Sequence, residues 1–225
     1  MTLSFGYFEL RTTDVNDAQL FYRALFGQLA YPIVSLSPQA KTHGAPAHWI
    51  GFVSVPSVKE SLGKFMLAGA QVINSKSNAS DLTDPVTIKG PGGEVVGLKV
   101  SNNGHNPNLV GYSQLIVPNP ANVISAYADI LGWQYWYKPK SEHGPAHHLI
   151  ASESEKTPSG IVVDTKDLPG SHPHWLYFFQ VSSLTNAVDE IRRLSGDVFG
   201  VYTLPTGRKA AVCHDRQGAA FGVCE

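Results

Sequence analysis

The sequence predicts an α+β protein built from four tandem βαβββ modules, two to each half, with the first module short of a β-hairpin. Three observations lead there. Tyr7 and Tyr112, Leu10 and Leu115, Tyr22 and Tyr127, and Gly27 and Gly132 match at one offset, 105. His48 and His174, Trp49 and Trp175, Phe52 and Phe178, and Val55 and Val181 match at another, 126, while Gly93/Gly218 and Gly97/Gly222 match at 125. The second half therefore repeats the first, and the third module is 21 residues longer than the first. Such self-similarity is the signature of a duplicated supersecondary unit.

Each module opens with an alternating strand and continues into a helix. After Asp14, apolar residues at Val15, Ala18, Phe21, Tyr22, Leu25 and Phe26 keep helical spacing until Gly27. Asp14 or Asn16 is placed to cap that helix. Val123, Ala126, Tyr127, Ile130 and Leu131 repeat the pattern after Asn119 and before Gly132. Helices near 57–68 and 183–194 carry Val58, Leu62 and Phe65, and Leu184, Val188 and Ile191. Strand-like runs follow: WQYWYKP, HHLIAS and GIVVDT in the third module, FGVYTL, KAAVCH and AAFGVC in the fourth. In the first module only SPQAKTHGAPA stands before the next unit. Eleven residues hold a loop and one short strand, not a hairpin of two five-residue strands. The halves divide into domains at 1–104 and 110–225. The truncated sheet leaves an edge, to be covered by a loop, closed by a second chain as a homodimer, or left as a wide mouth for a bulky ligand.

Composition narrows the function classes. The 225 residues are 43% hydrophobic and 16% charged, the latter below the roughly 25% of an average domain. Gly 21 and Pro 15 are spread along the chain. That excludes coiled coil, collagen and disorder. A net charge of −1 gives no reason to expect nucleic acid or an anionic membrane as partner. No apolar run approaches a membrane span, the start lacks a basic n-region, and two cysteines, Cys213 and Cys224, suit reduced core thiols. A cytoplasmic protein is expected.

FELRTTD with FY and FG downstream, HWIGFVSV with its repeat HWLYFFQV, and the closing GGEVVG and QGAAFG resemble the glyoxalase/bleomycin-resistance/dioxygenase superfamily, also called vicinal-oxygen-chelate, in its tandem-domain glyoxalase-like branch. The resemblance covers nearly the whole chain. It implies paired modules that curl into a cup with helices outside and ligand within, and it leaves the reaction open, since the superfamily includes lyases, epimerases, dioxygenases, thiol transferases and drug-sequestering proteins.

Strand alternation then assigns the cup-facing residues. Phe8, Leu10 and Thr12 belong with the helix, and Tyr7, Glu9 and Arg11 with the cup. Tyr112, Gln114 and Ile116 line the third module, Ile50, Phe52 and Ser54 the second, and Leu176, Phe178 and Gln180 the fourth. The candidate ligand-binding set is Tyr7, Glu9, Arg11, Phe52, Tyr112, Gln114, Phe178 and Gln180. Glu9 is the candidate catalytic base, with burial raising its pKa; the other reading pairs it with Arg11 as a structural ion pair.

The resemblance implies metal ligands near the start of each first strand and in each closing strand. The matching positions are Tyr7, Ile50, Tyr112 and Leu176, then Gly97 and Gly222. None is a histidine or a carboxylate, so no metal or other cofactor is expected. A divalent metal remains the alternative, carried by loop histidines: His43, His48, His143, His147, His148, His172 and His174. Gly/Pro-flanked histidines also serve simply to pack or cap strand starts. Two functions from different classes follow, a metal-independent binder of a largely apolar or aromatic molecule, and an enzyme working through Glu9 or a divalent ion. A third is a structural relic acting through protein contacts.

Overall fold

The computed structural model describes residues 5–28, 31–75, 85–100, 109–138, 146–152, 158–166 and 171–225. In chain order the first half contains β1 (Phe5–Thr12), α1 (Val15–Phe26), β2 (Ile33–Ser35), α2 (Pro38–Thr42), β3 (His48–Val55), α3 (Val58–Leu67), β4 (Gln71–Ser75), β5 (Val86–Lys89) and β6 (Val95–Val100). The second contains β7 (Val110–Val117), α4 (Pro120–Leu131), β8 (Gln134–Lys138), β9 (His147–Ala151), β10 (Gly160–Asp164), β11 (His174–Gln180), α5 (Leu184–Arg193), β12 (Asp197–Thr203), β13 (Lys209–His214) and β14 (Ala220–Cys224). Each half supplies one sheet, in the orders β2-β1-β3-β6-β5-β4 and β12-β13-β14-β11-β7-β10-β9-β8. No described helix is long and apolar enough to cross a membrane.

The helices start where side chains satisfy their free amides. Asp14 accepts from Asp17 N at 3.1 Å and caps α1, Asn119 caps α4 ahead of Pro120, and Ser57 and Ser183 cap α3 and α5. Gly132 ends α4 at φ 68°, in the left-handed region that glycine enters without a Cβ penalty.

Where the third module has β8, β9 and β10, the described residues between α1 and β3 form only the three-residue β2, paired parallel to β1, and the short helix α2. The helix corrects the expectation of a loop and strand in SPQAKTHGAPA. Ser37 accepts from Ala40 N at 3.1 Å, and Pro38 at the first helical position needs no amide partner.

By packing, the chain gathers into two compact units. Unit 1 takes the described parts of 1–7, 51–105 and 113–175; unit 2 takes those of 8–50, 106–112 and 176–225. In unit 1 the core is aromatic: Tyr127 lies 4.8 Å from Trp133 and 5.3 Å from Phe65, and Phe5 meets Trp175 edge-on at 5.1 Å. Unit 2 packs Trp49 against Phe179 at 4.9 Å and Tyr22 against Phe221 at 5.5 Å. Each such buried ring contributes about 2 kcal/mol of transfer free energy.

The β13–β14 turn of unit 2 braces the start of α1. The Gln217 amide oxygen accepts from Thr12 Oγ1 at 2.5 Å, Thr13 Oγ1 at 2.6 Å and Asp14 N at 2.6 Å, and its Nε2 donates to Asp14 O at 2.8 Å. Arg216 adds an ion pair to Asp17 at 2.5 Å.

Candidate functional site

Register decides which side chains share a sheet face. In unit 1, α4 packs over β8 and β10. The fully buried Leu115 and Val162 form one row across β7 and β10, and Ile150 lies in the next row of the same face. The opposite face carries the row Gln114, Ile161, Leu149, Trp136, and beside it the row Ile116, Val163, His147, Lys138. Gln114 thus lies on the face turned away from the helix, half-buried.

Two further unit 1 residues of the candidate set meet on the six-stranded sheet. Tyr7 packs edge-on against Phe52 at 5.2 Å, and Lys99 Nζ sits 3.9 Å above the Tyr7 ring. Phe52 lies opposite Gly97 in the β3–β6 ladder, and a Cβ on Gly97 would run into the Phe52 ring.

Unit 2 repeats this arrangement with Tyr112, Phe178 and Gly222. Tyr112 meets Phe178 edge-on at 5.8 Å, Phe178 pairs with Gly222, and a Cβ on Gly222 would overlap the Phe178 ring. Tyr202 stands edge-on to Phe178 at 6.3 Å. Gln180 lies in the row Gln180, Cys224, Ala210, Tyr202; it is exposed, with its side chain beside Gly111 and Arg208. The Tyr112 hydroxyl is buried and finds no hydrogen-bond partner among the described residues. Burial pushes its pKa well above the ordinary tyrosine range, so it stays a neutral hydroxyl.

Glu9 and Arg11, also in unit 2, form an ion pair through Arg11 Nε, with side-chain exposures of 14% and 21%. Glu9 is therefore engaged by a guanidinium rather than held alone as an isolated base. Burial lowers the pKa of nearby His48, which also feels the charges of Arg11 and Glu9, and its Nδ1 lies 2.8 Å from Pro46 O.

Two further histidines also bind to the backbone close by in sequence. His43 Nδ1 lies 2.8 Å from Gln39 O, and His174 Nδ1 lies 2.7 Å from His172 O. His147 and His148 are consecutive on β9 and so face opposite sides of the sheet. His143 lies outside the described residues. Among the described residues no three of His, Cys, Asp and Glu assemble into a metal-binding group. Where the resemblance expects ligands, the chain has Tyr7, Ile50, Tyr112 and Leu176, and two glycines beneath phenylalanine rings. Those residues do not fit a divalent ion, because the rings fill the space a closing-strand carboxylate would need. Cys213 and Cys224 are buried, and burial pushes the Cys213 thiol up to about 12, which leaves it unreactive near neutral pH.

Sequence reasoning passed over two features. Glu94 is wholly buried, accepts from Tyr127 Oη at 2.9 Å and Gly92 N at 2.9 Å, and is pushed by burial up to about 7. Its signal was Gly90, a glycine where the repeat has Asp215. Two clefts also lie in unit 2, one of about 420 Å³ beside Phe26, Gln180 and Ser183, and one of about 920 Å³ beside Arg23, Tyr31 and Ile33. No periodicity marks them, because loops and helix ends form them.

No family model matches the sequence. The chain is 23% identical over 246 residues to "Putative glyoxylase CFP32" of Mycobacterium bovis and of Mycobacterium tuberculosis, covering 97% of this chain and 93% of each relative. Its fold is similar to that of the 2,3-dioxygenase LapB from Pseudomonas sp. KL28, with TM-score 0.65, 15% identity, and 99% and 92% of the two chains covered. It is also similar to that of the Mn(II)-bound glyoxalase from Novosphingobium aromaticivorans, with TM-score 0.64, 10% identity, and 99% and 82% covered. With its repeated strand–helix modules and two mixed sheets, the chain has the fold of the glyoxalase/bleomycin-resistance/dioxygenase, or vicinal-oxygen-chelate, superfamily.

Proposed function

We propose that this protein binds a small, largely apolar or aromatic molecule without a metal, on the sheet face that carries Tyr112 and Phe178. The observation that carries this reading is the Tyr112 hydroxyl, buried beside the Phe178 ring without a partner. Leaving a buried hydroxyl unsatisfied costs about 1–3 kcal/mol. A ligand with one hydrogen-bonding group and an apolar body recovers that cost while resting on aromatic walls, the usual make-up of a ligand pocket. Glycine, alanine and cysteine at Gly222, Ala210 and Cys224 keep the neighbouring part of this face low.

The test is ligand screening on untagged protein before and after dialysis against EDTA. The same members of a small aromatic library should raise the melting temperature in both samples, and mass spectrometry should recover them unchanged. Conversion of a compound only by metal-loaded protein would replace this reading with a metal-dependent enzyme.

A second reading is favoured by the Glu9, Arg11 and His48 cluster, which gathers a carboxylate, a guanidinium and an imidazole. In it the protein is a metal-free acid–base enzyme with Glu9 as base. Glu9→Gln would then abolish turnover while leaving affinity nearly unchanged, whereas in a pure binder there is no turnover to lose.

A further inference from the structure

We propose that the helix-distal face of unit 1 takes an anionic aromatic compound, a planar ring system bearing a carboxylate, with the ring on Trp136 and Leu149 and the carboxylate at Lys138. This goes beyond the reading above, which concerns Tyr112 and Phe178 in unit 2, by naming a separate surface and its ligand class in unit 1, and it rests on that reading in taking the protein as a binder.

The argument begins with register. Gln114, Ile161, Leu149 and Trp136 are successive cross-strand partners on β7, β10, β9 and β8, so they form one continuous row. Neighbouring strands lie about 4.8 Å apart, which makes the row roughly 14 Å long. Its middle is aliphatic, one end is the Gln114 amide, and the other is the Trp136 indole, 42% exposed. Ile161 is buried and Leu149 half-buried, so the exposed tryptophan with Leu149 beside it offers a stacking surface rather than core packing.

Charge supplies the second half. The adjacent row on the same face ends in His147 and Lys138, and Lys138 is exposed with no ion pair among the described residues. The described residues of these two rows include no carboxylate. The described acid nearest to these rows in sequence, Asp164, pairs in register with Val117 and so belongs to the opposite face, where it meets Lys166 at 3.8 Å. Among the described residues the face is therefore apolar and aromatic along its length and cationic at one corner. A neutral ring gains only the apolar part of this surface, and a cationic ligand is repelled by the corner. A ring with one carboxylate uses both, and Gln114 accepts or donates to a second polar substituent.

The test is calorimetric titration of the full chain with 2-naphthoate and with its neutral counterpart 2-naphthalenemethanol, with Trp fluorescence recorded in parallel. Naphthoate should bind at least tenfold more tightly, and raising the salt concentration should narrow the difference. Lys138→Gln should bring the two affinities within twofold by weakening naphthoate alone. Trp136→Ala should weaken both and remove the fluorescence change. Both positions are exposed, and circular dichroism checks that each variant is folded. Equal binding of the two compounds by the unaltered protein, or a preference that survives Lys138→Gln, would overturn the anionic class while leaving the binder reading intact. Absence of binding by either compound, with the library screen also silent, would overturn both.

Discussion

Tyr127 donates its hydroxyl to Glu94 at 2.9 Å, and its repeat counterpart Tyr22 donates to Asp215 at 3.1 Å, yet the two carboxylates occupy different positions in their turns. Asp215 opens the turn of the fourth module, and the matching residue in the second module is Gly90. Glu94, from the far end of that turn, fills the vacant place: a Cβ on Gly90 would strike its carboxylate. The amide partners match as well, with Gly92 N donating to Glu94 and Gln217 N to Asp215, each at 2.9 Å. One carboxylate per turn, beneath one helix tyrosine, is thus retained by exchanging which residue supplies it.

The buried Glu94 carboxyl makes unit 1 sensitive to pH. Burial raises the Glu94 carboxyl from 4.5 to about 7, against the hydrogen bonds from Tyr127 and Gly92 that pull it down. Between these values the folded protein keeps a proton that the unfolded chain has released. Stability is therefore fully present below pH 4.5 and is lost as pH rises through 7, by about 3 kcal/mol. Urea unfolding at pH 5 and pH 8 should show this loss, and Glu94→Gln should remove most of it, leaving the variant the more stable protein at pH 8.

Gly90→Asp tests the exchange directly. Alone it forces a second carboxylate into the space of the first, and overpacking with like charge should cost at least about 2 kcal/mol. Combined with Glu94→Ala, the same Asp occupies the place that Asp215 takes in the repeat and hydrogen-bonds Tyr127. The double variant should recover most of the lost melting temperature. A double variant no better than the single would show that the two turns differ in more than the carboxylate.

Gly97 and Gly222 are required by close approach. Each lies under a phenylalanine ring, Phe52 or Phe178, which a Cβ would overlap. Gly222→Ala should destabilise by about 1–3 kcal/mol, and Phe178→Leu in the same chain should return part of that by vacating the space. The paired melting curves measure both.

Much of this is legible in the sequence. The repeat pairs Tyr7/Tyr112, Phe52/Phe178 and Gly97/Gly222 correspond to two repeated constellations of tyrosine, phenylalanine and glycine, because a duplicated module conserves its register. Strand alternation placed Phe8 and Leu10 in the core and left Tyr7, Glu9 and Arg11 partly accessible. Helix α2 was not legible, because five residues with one cap and one proline give no period to read. The Trp136 row was not legible either. WQYWYKP is aromatic at four of its first five positions, and only the pairing of Trp136 with Leu149 and of Tyr137 with His148 shows which ring faces away from α4. Glu94 escaped because a turn glutamate next to glycines is ordinarily solvated; its burial depends on Tyr127, 33 residues away.

Tyr112→Phe separates a ligand anchor from a core tyrosine by the sign of its effect. In a core tyrosine the hydroxyl is satisfied, and its removal destabilises. The Tyr112 hydroxyl is buried and unpartnered among the described residues, so deleting it removes a desolvation cost and breaks no described bond. The ligand-free variant should gain about 1 kcal/mol, which for a chain of this size raises the melting temperature by about 2–4 °C. Its affinity for aromatic ligands that bear a hydrogen-bonding group should fall about fivefold, the worth of one neutral hydrogen bond, while ligands lacking such a group should bind unchanged. Scanning calorimetry and titration of the same two proteins measure both effects. A stability gain together with an affinity loss is the combination that a structural tyrosine does not produce.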